Sequence, residues 1–198
     1  MKAILSSIFY MPGIIFHELS HHLVCIIFRA KVTDVCYYNF RESSGYVHYL
    51  RPKHLYQDVL ISISPFFLNS LLSGLVAYPT VINKLSITGL ESLSWQDILR
   101  IIISISIGMS AIPSKKDGLN VWNSVGDSNI NFLFKLLARL ILAPLVFLIY
   151  LLNYGSAYFK INIFYGICTC LIGPKFIEDV IYLDIVQEFI DGFQNLKF

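Results

Sequence analysis

Long apolar runs separated by short polar connections set the pattern of this chain. The first run covers 3–28, the second 59–82 and the third 98–124. A fourth is uncharged from Leu140 to Phe159. About 20 apolar residues are enough to cross a bilayer as a helix, so each of these reads as a transmembrane segment. The next run, Ile161 to Pro174, has 14 uncharged residues between Lys160 and Lys175. That length fits either a short span or a re-entrant piece. Between the first and second runs the pattern changes. Val32 to Phe40 is rich in β-branched and aromatic residues, Arg41-Glu42-Ser43-Ser44-Gly45 is a turn signal, and Tyr46 to Leu50 resumes the strand character. Residues 31–50 therefore read as a β-hairpin, which needs support because two strands alone are marginal in water. In the tail, Asp184, Glu188 and Asp191 fall on one helical face and read as a solvated stripe. The predicted architecture is an all-α polytopic membrane protein of four to six transmembrane segments, with a small membrane-associated hairpin. The 198 residues form a single membrane domain, with accessory helices over 132–198.

Composition agrees with that pattern. The chain is 56% hydrophobic and 14% charged, against about 25% charged in an average soluble domain. A net charge of +2 and a pI near 8.3 are too mild for a nucleic-acid partner. Cys25, Cys36, Cys168 and Cys170 match no zinc or disulfide framework and read as reduced packing residues. Basic residues cluster between the first and second runs (Arg29, Lys31, Arg41, Arg51, Lys53) and between the third and fourth (Lys115, Lys116, Lys135). The hairpin and the Lys115–Lys116 region are thus expected on the cytoplasmic side, and the protein in the cell membrane.

The first run carries a polar cluster, Phe16-His17-Glu18-Leu19-Ser20-His21-His22. It contains His-Glu-x-x-His. On a helix His17 and His21 share a face and can hold one metal ion, with Glu18 beside them where a general base for a metal-activated water is wanted. Ionisable residues inside a membrane-length run are expensive and mark function by default. His22 faces about 100° away from His21 and is left out of the ligand set. A catalytic zinc takes three protein ligands, so one more is needed. Asp117 is the best-placed carboxylate, because it follows an uncharged stretch broken by Pro113 and precedes Gly118. Pro12-Gly13 is either a packing kink or a functional loosening of the first helix. Asn69, a lone amide in the second run, is either an interhelical hydrogen bond or a polar handle for substrate. His48 and His54 read as surface residues.

Three motifs in this order resemble the core of site-2 proteases, a family of intramembrane zinc metalloproteases. They are His17-Glu18-x-x-His21, Ser64-Pro65-x-x-x-Asn69 and Pro113-x-x-x-Asp117-Gly118, over about Ile8 to Asn123. The resemblance implies a three-helix catalytic core, zinc held by His17, His21 and Asp117, and Glu18 as the catalytic base. It also implies a membrane-spanning protein or peptide substrate, cut near the cytoplasmic face. The substrate would lie extended on the hairpin, with Val35, Tyr37, Tyr46 and Asn69 as binding residues. Ser20 stands where the family usually has Gly, Ser64 where it has Gly, and Lys115-Lys116 where it has apolar residues. The alternative from a different class is a non-catalytic zinc-binding membrane protein or transporter. A transport path would need polar side chains on several spans, and the second and fourth runs offer almost none.

Overall fold

The computed structural model describes residues 2–86, 89, 93–127 and 131–181. Among these, the chain forms six α-helices and one two-stranded antiparallel sheet. α1 (Lys2–Ile27) leads into the hairpin of β1 (Val32–Asn39) and β2 (Ser44–Tyr49). α2 (Leu55–Thr80) continues into a π-helical turn, Val81–Leu85. Then come α3 (Trp95–Met109), α4 (Lys115–Asp127), α5 (Phe132–Phe159) and α6 (Ile161–Ile181). The tail residues Asp184, Glu188 and Asp191 lie outside the described residues.

Three stretches, Leu55–Leu85, Phe132–Phe159 and Ile161–Val180, are long and apolar enough to cross a membrane. On α5, Phe132, Leu140, Ile141 and Phe147 are each more than two-thirds exposed. Such a face is costly in water and suited to hydrocarbon, while the helix pairs its own backbone groups as lipid requires. The fifth apolar run is helical throughout. The fourth begins earlier than its uncharged part, because α5 places two cations where they find partners. Lys135 Nζ donates to the Gly126 carbonyl at 2.8 Å, and the Arg139 guanidinium sits 5.4 Å over the Trp122 ring.

The third run departs from the sequence expectation. Residues 98–124 are not one span but two helices of 15 and 13 residues, α3 and α4. Pro113 has no N–H and disfavours helical backbone at residue 112, so α3 is not continued. A reciprocal cap then starts α4: the Ser114 N–H donates to Asp117 Oδ2 (2.6 Å) and the Asp117 N–H to Ser114 Oγ (3.2 Å).

α2 lies at the centre and packs on α1, α3, α4 and α6. Small residues let these helices approach closely, as in other membrane bundles. A Cβ on Gly74 would sit 3.1 Å from the Gly173 backbone, and one on Gly108 would sit 2.9 Å from Gly166 Cα. Ser73 Oγ lies 2.9 Å from the Ser104 carbonyl and 3.0 Å from Thr169 Oγ1, within hydrogen-bond reach of both, joining α2, α3 and α6. Gly13 does the same between α1 and α3, since a Cβ there would lie 2.0 Å from the Ser106 carbonyl. α1 runs straight through Pro12, so this pair is a helix contact. All four cysteines are free.

α1 ends in a tight reversal that aims the chain back along it. The Ala30 N–H donates to the Cys25 carbonyl (2.8 Å) and the Arg29 N–H to that of Ile26 (3.0 Å), with Arg29 left-handed at φ 54°. The hairpin then packs against α1. Its register pairs Val35 with Val47 and Cys36 with Tyr46.

Gly13→Ala is expected to destabilise the bundle by about 1–3 kcal/mol, as overpacking does. Gly126→Ala should change little, because its Cβ would meet only Arg139 Nη2 at 3.4 Å. Thermal unfolding of the two variants in one detergent compares them directly.

Candidate metal centre

His17 and His21 lie four residues apart on α1, and each ring is fixed by a backbone carbonyl from another helix. His17 Nδ1 is 2.6 Å from the Ser110 carbonyl, and His21 Nδ1 is 2.7 Å from the Ile61 carbonyl. A carbonyl only accepts, so both Nδ1 atoms carry the proton and both Nε2 atoms present a lone pair. Each carbonyl lacks its usual helical N–H partner for a reason written in the sequence, and the Ile61 carbonyl also accepts from Ser64 Oγ at 2.7 Å. Ile61 would ordinarily accept from the residue four further on, but that residue is Pro65, which has no N–H. Ser110 caps the end of α3, and the N–H of Ser114, which would continue the helix, is given to Asp117 instead.

The two Nε2 atoms are 3.3 Å apart. Asp117 closes the group, with Oδ1 3.3 Å from His21 Nε2 and Oδ2 3.6 Å from His17 Nε2. Among the described residues these three ligand atoms lie within 4.8 Å of one another. With both Nδ1 atoms turned to carbonyls, two imidazole Nε2 atoms and a carboxylate converge here. Two imidazole nitrogens and a carboxylate are a donor set that suits a divalent transition metal. The capping bond orients the Asp117 carboxylate, as carbonyls orient the two rings, and outer partners of this kind tune metal sites.

Glu18 is half-buried on the same side of α1. Gly45 of β2 lies against it: a Cβ at position 45 would fall 2.5 Å from Glu18 Cγ and 2.7 Å from the Tyr37 carbonyl. Gly45 therefore permits the close approach of β2 to α1, while the left-handed position of the turn falls on Ser43. A cavity of about 1010 Å³ opens in front of the group. His17, Glu18, His21 and Asp117 line it on one side and β2 lines it on another, with Arg51, Asp58 and Ser62 alongside.

The remaining expected site residues divide. Tyr46 lines the cavity, and its hydroxyl donates across the hairpin to Asp34 Oδ2 at 3.0 Å. Val35 and Tyr37 do not line it. Val35 is paired with Val47, and the Tyr37 hydroxyl meets His22 Nδ1 at 2.5 Å, turned toward α1. His22 is thereby spent on the hairpin, away from the other two histidines. Asn69 does not line the cavity either, since it is fully buried against α1. Its amide meets Ser20 Oγ at 2.9 Å, and with its nitrogen toward α1 it donates to the Phe16 carbonyl at 3.1 Å. Asn69 is the interhelical bond of the two sequence readings, and it braces the turn that carries His17. His48 is exposed, in keeping with the surface reading, and borders the cavity. His54 precedes α2 and stacks on Tyr56.

Sequence reasoning missed the two carbonyls and the pair Tyr49–Asp58. Only Pro65 signalled any of these, because a proline frees the carbonyl four residues before it. The Tyr49 hydroxyl donates to Asp58 Oδ1 at 2.7 Å. Burial and the neighbouring Asp58 carboxylate push the Tyr49 phenol well above its ordinary pKa, so it remains a donor at any physiological pH.

No protein-family model, curated protein or solved structure matches this chain.

His21→Ala is expected to lose a bound divalent metal and His22→Ala to keep it, read as metal per chain after purification. Asp117→Asn, which keeps a capping acceptor, should weaken the metal strongly, and Asp127→Asn should not. Pro65→Ala restores an N–H that competes for the Ile61 carbonyl. It should weaken metal binding by roughly tenfold, the lower end of what loss of an outer partner costs.

Proposed function

We propose that this protein is an intramembrane zinc metalloprotease that hydrolyses a peptide bond of a membrane-spanning substrate near the cytoplasmic face. The observation that carries the reading is the convergence of His17 Nε2, His21 Nε2 and the Asp117 carboxylate within 4.8 Å, in a cavity that Glu18 and strand β2 also line. Zinc bound there supplies Lewis acidity, polarising the scissile carbonyl and making water a better nucleophile. Glu18 takes the proton released by the attacking water and hands it to the leaving amine. Its place against Gly45 holds the base at fixed distance from whatever lies on β2.

A peptide bond in a membrane helix is shielded by its own hydrogen bonds, so the substrate must unwind. Among the described residues β2 pairs only with β1, which leaves its other edge open to an added extended strand. That edge borders the cavity. The substrate-holding role therefore belongs to β2, with Tyr46, and the positions on β1 support it from behind.

The resemblance to site-2 proteases supports the same reading, and two of its departures have a physical account. Ser20, where a Gly is usual, bonds Asn69 across the α1–α2 contact. The α3–α4 break brings Asp117 to the histidines even with Lys115 and Lys116 before it, because both lysines are exposed. With this reading α1 and the α3–α4 pair join α2, α5 and α6 in the membrane, and the site opens near one end. The transporter alternative draws no support from the spans, whose polar side chains such as Ser73, Ser104 and Thr169 are bonded to one another.

Glu18→Gln is expected to retain zinc and to lose cleavage of a membrane-spanning substrate by about 10²- to 10⁴-fold, the range for a lost general base. Cleavage at the wild-type rate would remove Glu18 from the chemistry. Proline scanning along β2 should impair cleavage at alternate positions, those whose N–H points away from β1, with zinc content unchanged. Full activity of every β2 proline variant would rule out the strand as the substrate holder.

A further inference from the structure

α2 presents a second polar group to the cavity that the metal chemistry leaves unused. Asp58 and Ser62 are four residues apart on one face, in the same turn as Ile61, whose carbonyl holds His21. Both line the cavity, yet Asp58 is 2% exposed and Ser62 1%. Asp58 Oδ1 is answered by the Tyr49 hydroxyl. Asp58 Oδ2 and Ser62 Oγ make no hydrogen bond of good geometry among the described residues; the Ser124 hydroxyl lies beside the Asp58 carboxylate and Ser62 beside the Tyr49 hydroxyl. The cation paired with Oδ2 is Arg51, whose Nε is 3.8 Å away, too far for a hydrogen bond. Its Nη1 is committed elsewhere, to the Asn123 carbonyl at 3.2 Å and to Asp127.

A buried carboxylate with one oxygen unanswered costs free energy unless a ligand answers it. Arg51 stands at ion-pair distance and leaves Oδ2 without a hydrogen-bond donor; an ammonium or guanidinium supplies donors to both Oδ2 and the Ser62 oxygen and completes the charge balance. We propose that Asp58, Ser62 and Tyr49 form a specificity subsite that takes a Lys or Arg side chain of the substrate. This rests on the protease reading and names the substrate class: a span with a basic residue flanking the bond to be cut. Membrane segments carry such residues at their cytoplasmic flank, and the long apolar stem of Lys or Arg can reach along the cavity wall. Tyr49 ties the subsite to β2, so the strand that holds the backbone also sets the carboxylate that reads the side chain.

The test uses the purified zinc-loaded protein in detergent micelles. Its probes are synthetic single-span peptides with one Lys walked through the flanking positions, each matched to norleucine at the same place. In one register the Lys peptide should be preferred at least tenfold in kcat/KM. Asp58→Asn should bring the ratio close to one, and Ser62→Ala should lower it several-fold. Peptide binding to the Glu18→Gln protein, read by fluorescence anisotropy, gives the same ratio without cleavage. A Lys preference in binding that Asp58→Asn removes, with no cleavage of any peptide, upholds the subsite and sinks the protease. Cleavage with no preference in any register does the reverse. A preference that survives Asp58→Asn, or no binding of any peptide, overturns the subsite. If Asp58 serves only to anchor Arg51, Asp58→Asn and Arg51→Gln will change both peptides of a pair alike and leave the ratio at its wild-type value.

Discussion

The Ile61 carbonyl can hold the His21 ring because Pro65, one turn on, has no N–H to give it. The Ser110 carbonyl can hold His17 because α3 stops there. Everything at the centre depends on these two interruptions of helical hydrogen bonding. In hydrocarbon an unanswered carbonyl is expensive, so an interrupted helix must find a donor elsewhere. Here the donors are imidazole N–H groups, joined at Ile61 by the Ser64 hydroxyl, and the need to satisfy the backbone helps to orient the two rings. The same break that frees Ser110 starts α4 and delivers Asp117. Pro65 and Pro113 look like irregularities in apolar runs; physically they are where two helices lend backbone groups to a third.

For this lending to work, the helices must be close. His21 reaches the α2 backbone and His17 reaches the end of α3 only because α1 approaches both within side-chain hydrogen-bond distance. Gly13 sets the α1–α3 approach, and the Ser20–Asn69 bond sits at the α1–α2 contact. Behind them Gly74, Gly108, Gly166 and Gly173 draw α6 onto α2 and α3. In a bilayer there is little hydrophobic gain in pressing helices together, so close packing and buried serine bonds carry the cohesion. The small-residue contacts are thus part of the metal centre's geometry, though most of them lie far from it in sequence.

Much of this was legible in the chain. The His17–Glu18–His21 spacing needs only the helical period, and strand character between Val32 and Leu50 needs only β-branched and aromatic residues between turn signals. The grouping of Asp117 with the two histidines followed from Pro113 and an uncharged run. The break of 98–124 into two helices was half-visible: Pro113 marks an interruption, but the reciprocal Ser114–Asp117 cap that makes it a true end depends on a bond between backbone and side chain. Which strand faces the cavity was not legible. Both strands have the same character, and the choice is made by the left-handed Arg29 and by Gly45 fitting against Glu18. Asp58 looked like an ordinary acid at the start of a helix. Its burial comes from β2, Arg51 and α4 folding over it, which no local pattern reports.

Each of the three ligand side chains is held by a bond that involves no ion: two to carbonyls and one to a backbone N–H. The shape of the site is therefore a property of the fold. Small zinc domains gain their structure from the metal and fall apart without it. This bundle has the geometry of the three side chains settled by proline, serine and glycine, so on the proposed reading taking up an ion would be a question of access through the cavity and not of refolding. On that reading little of the binding free energy would be diverted into ordering the chain, and the bundle would be packed and complete before it is loaded.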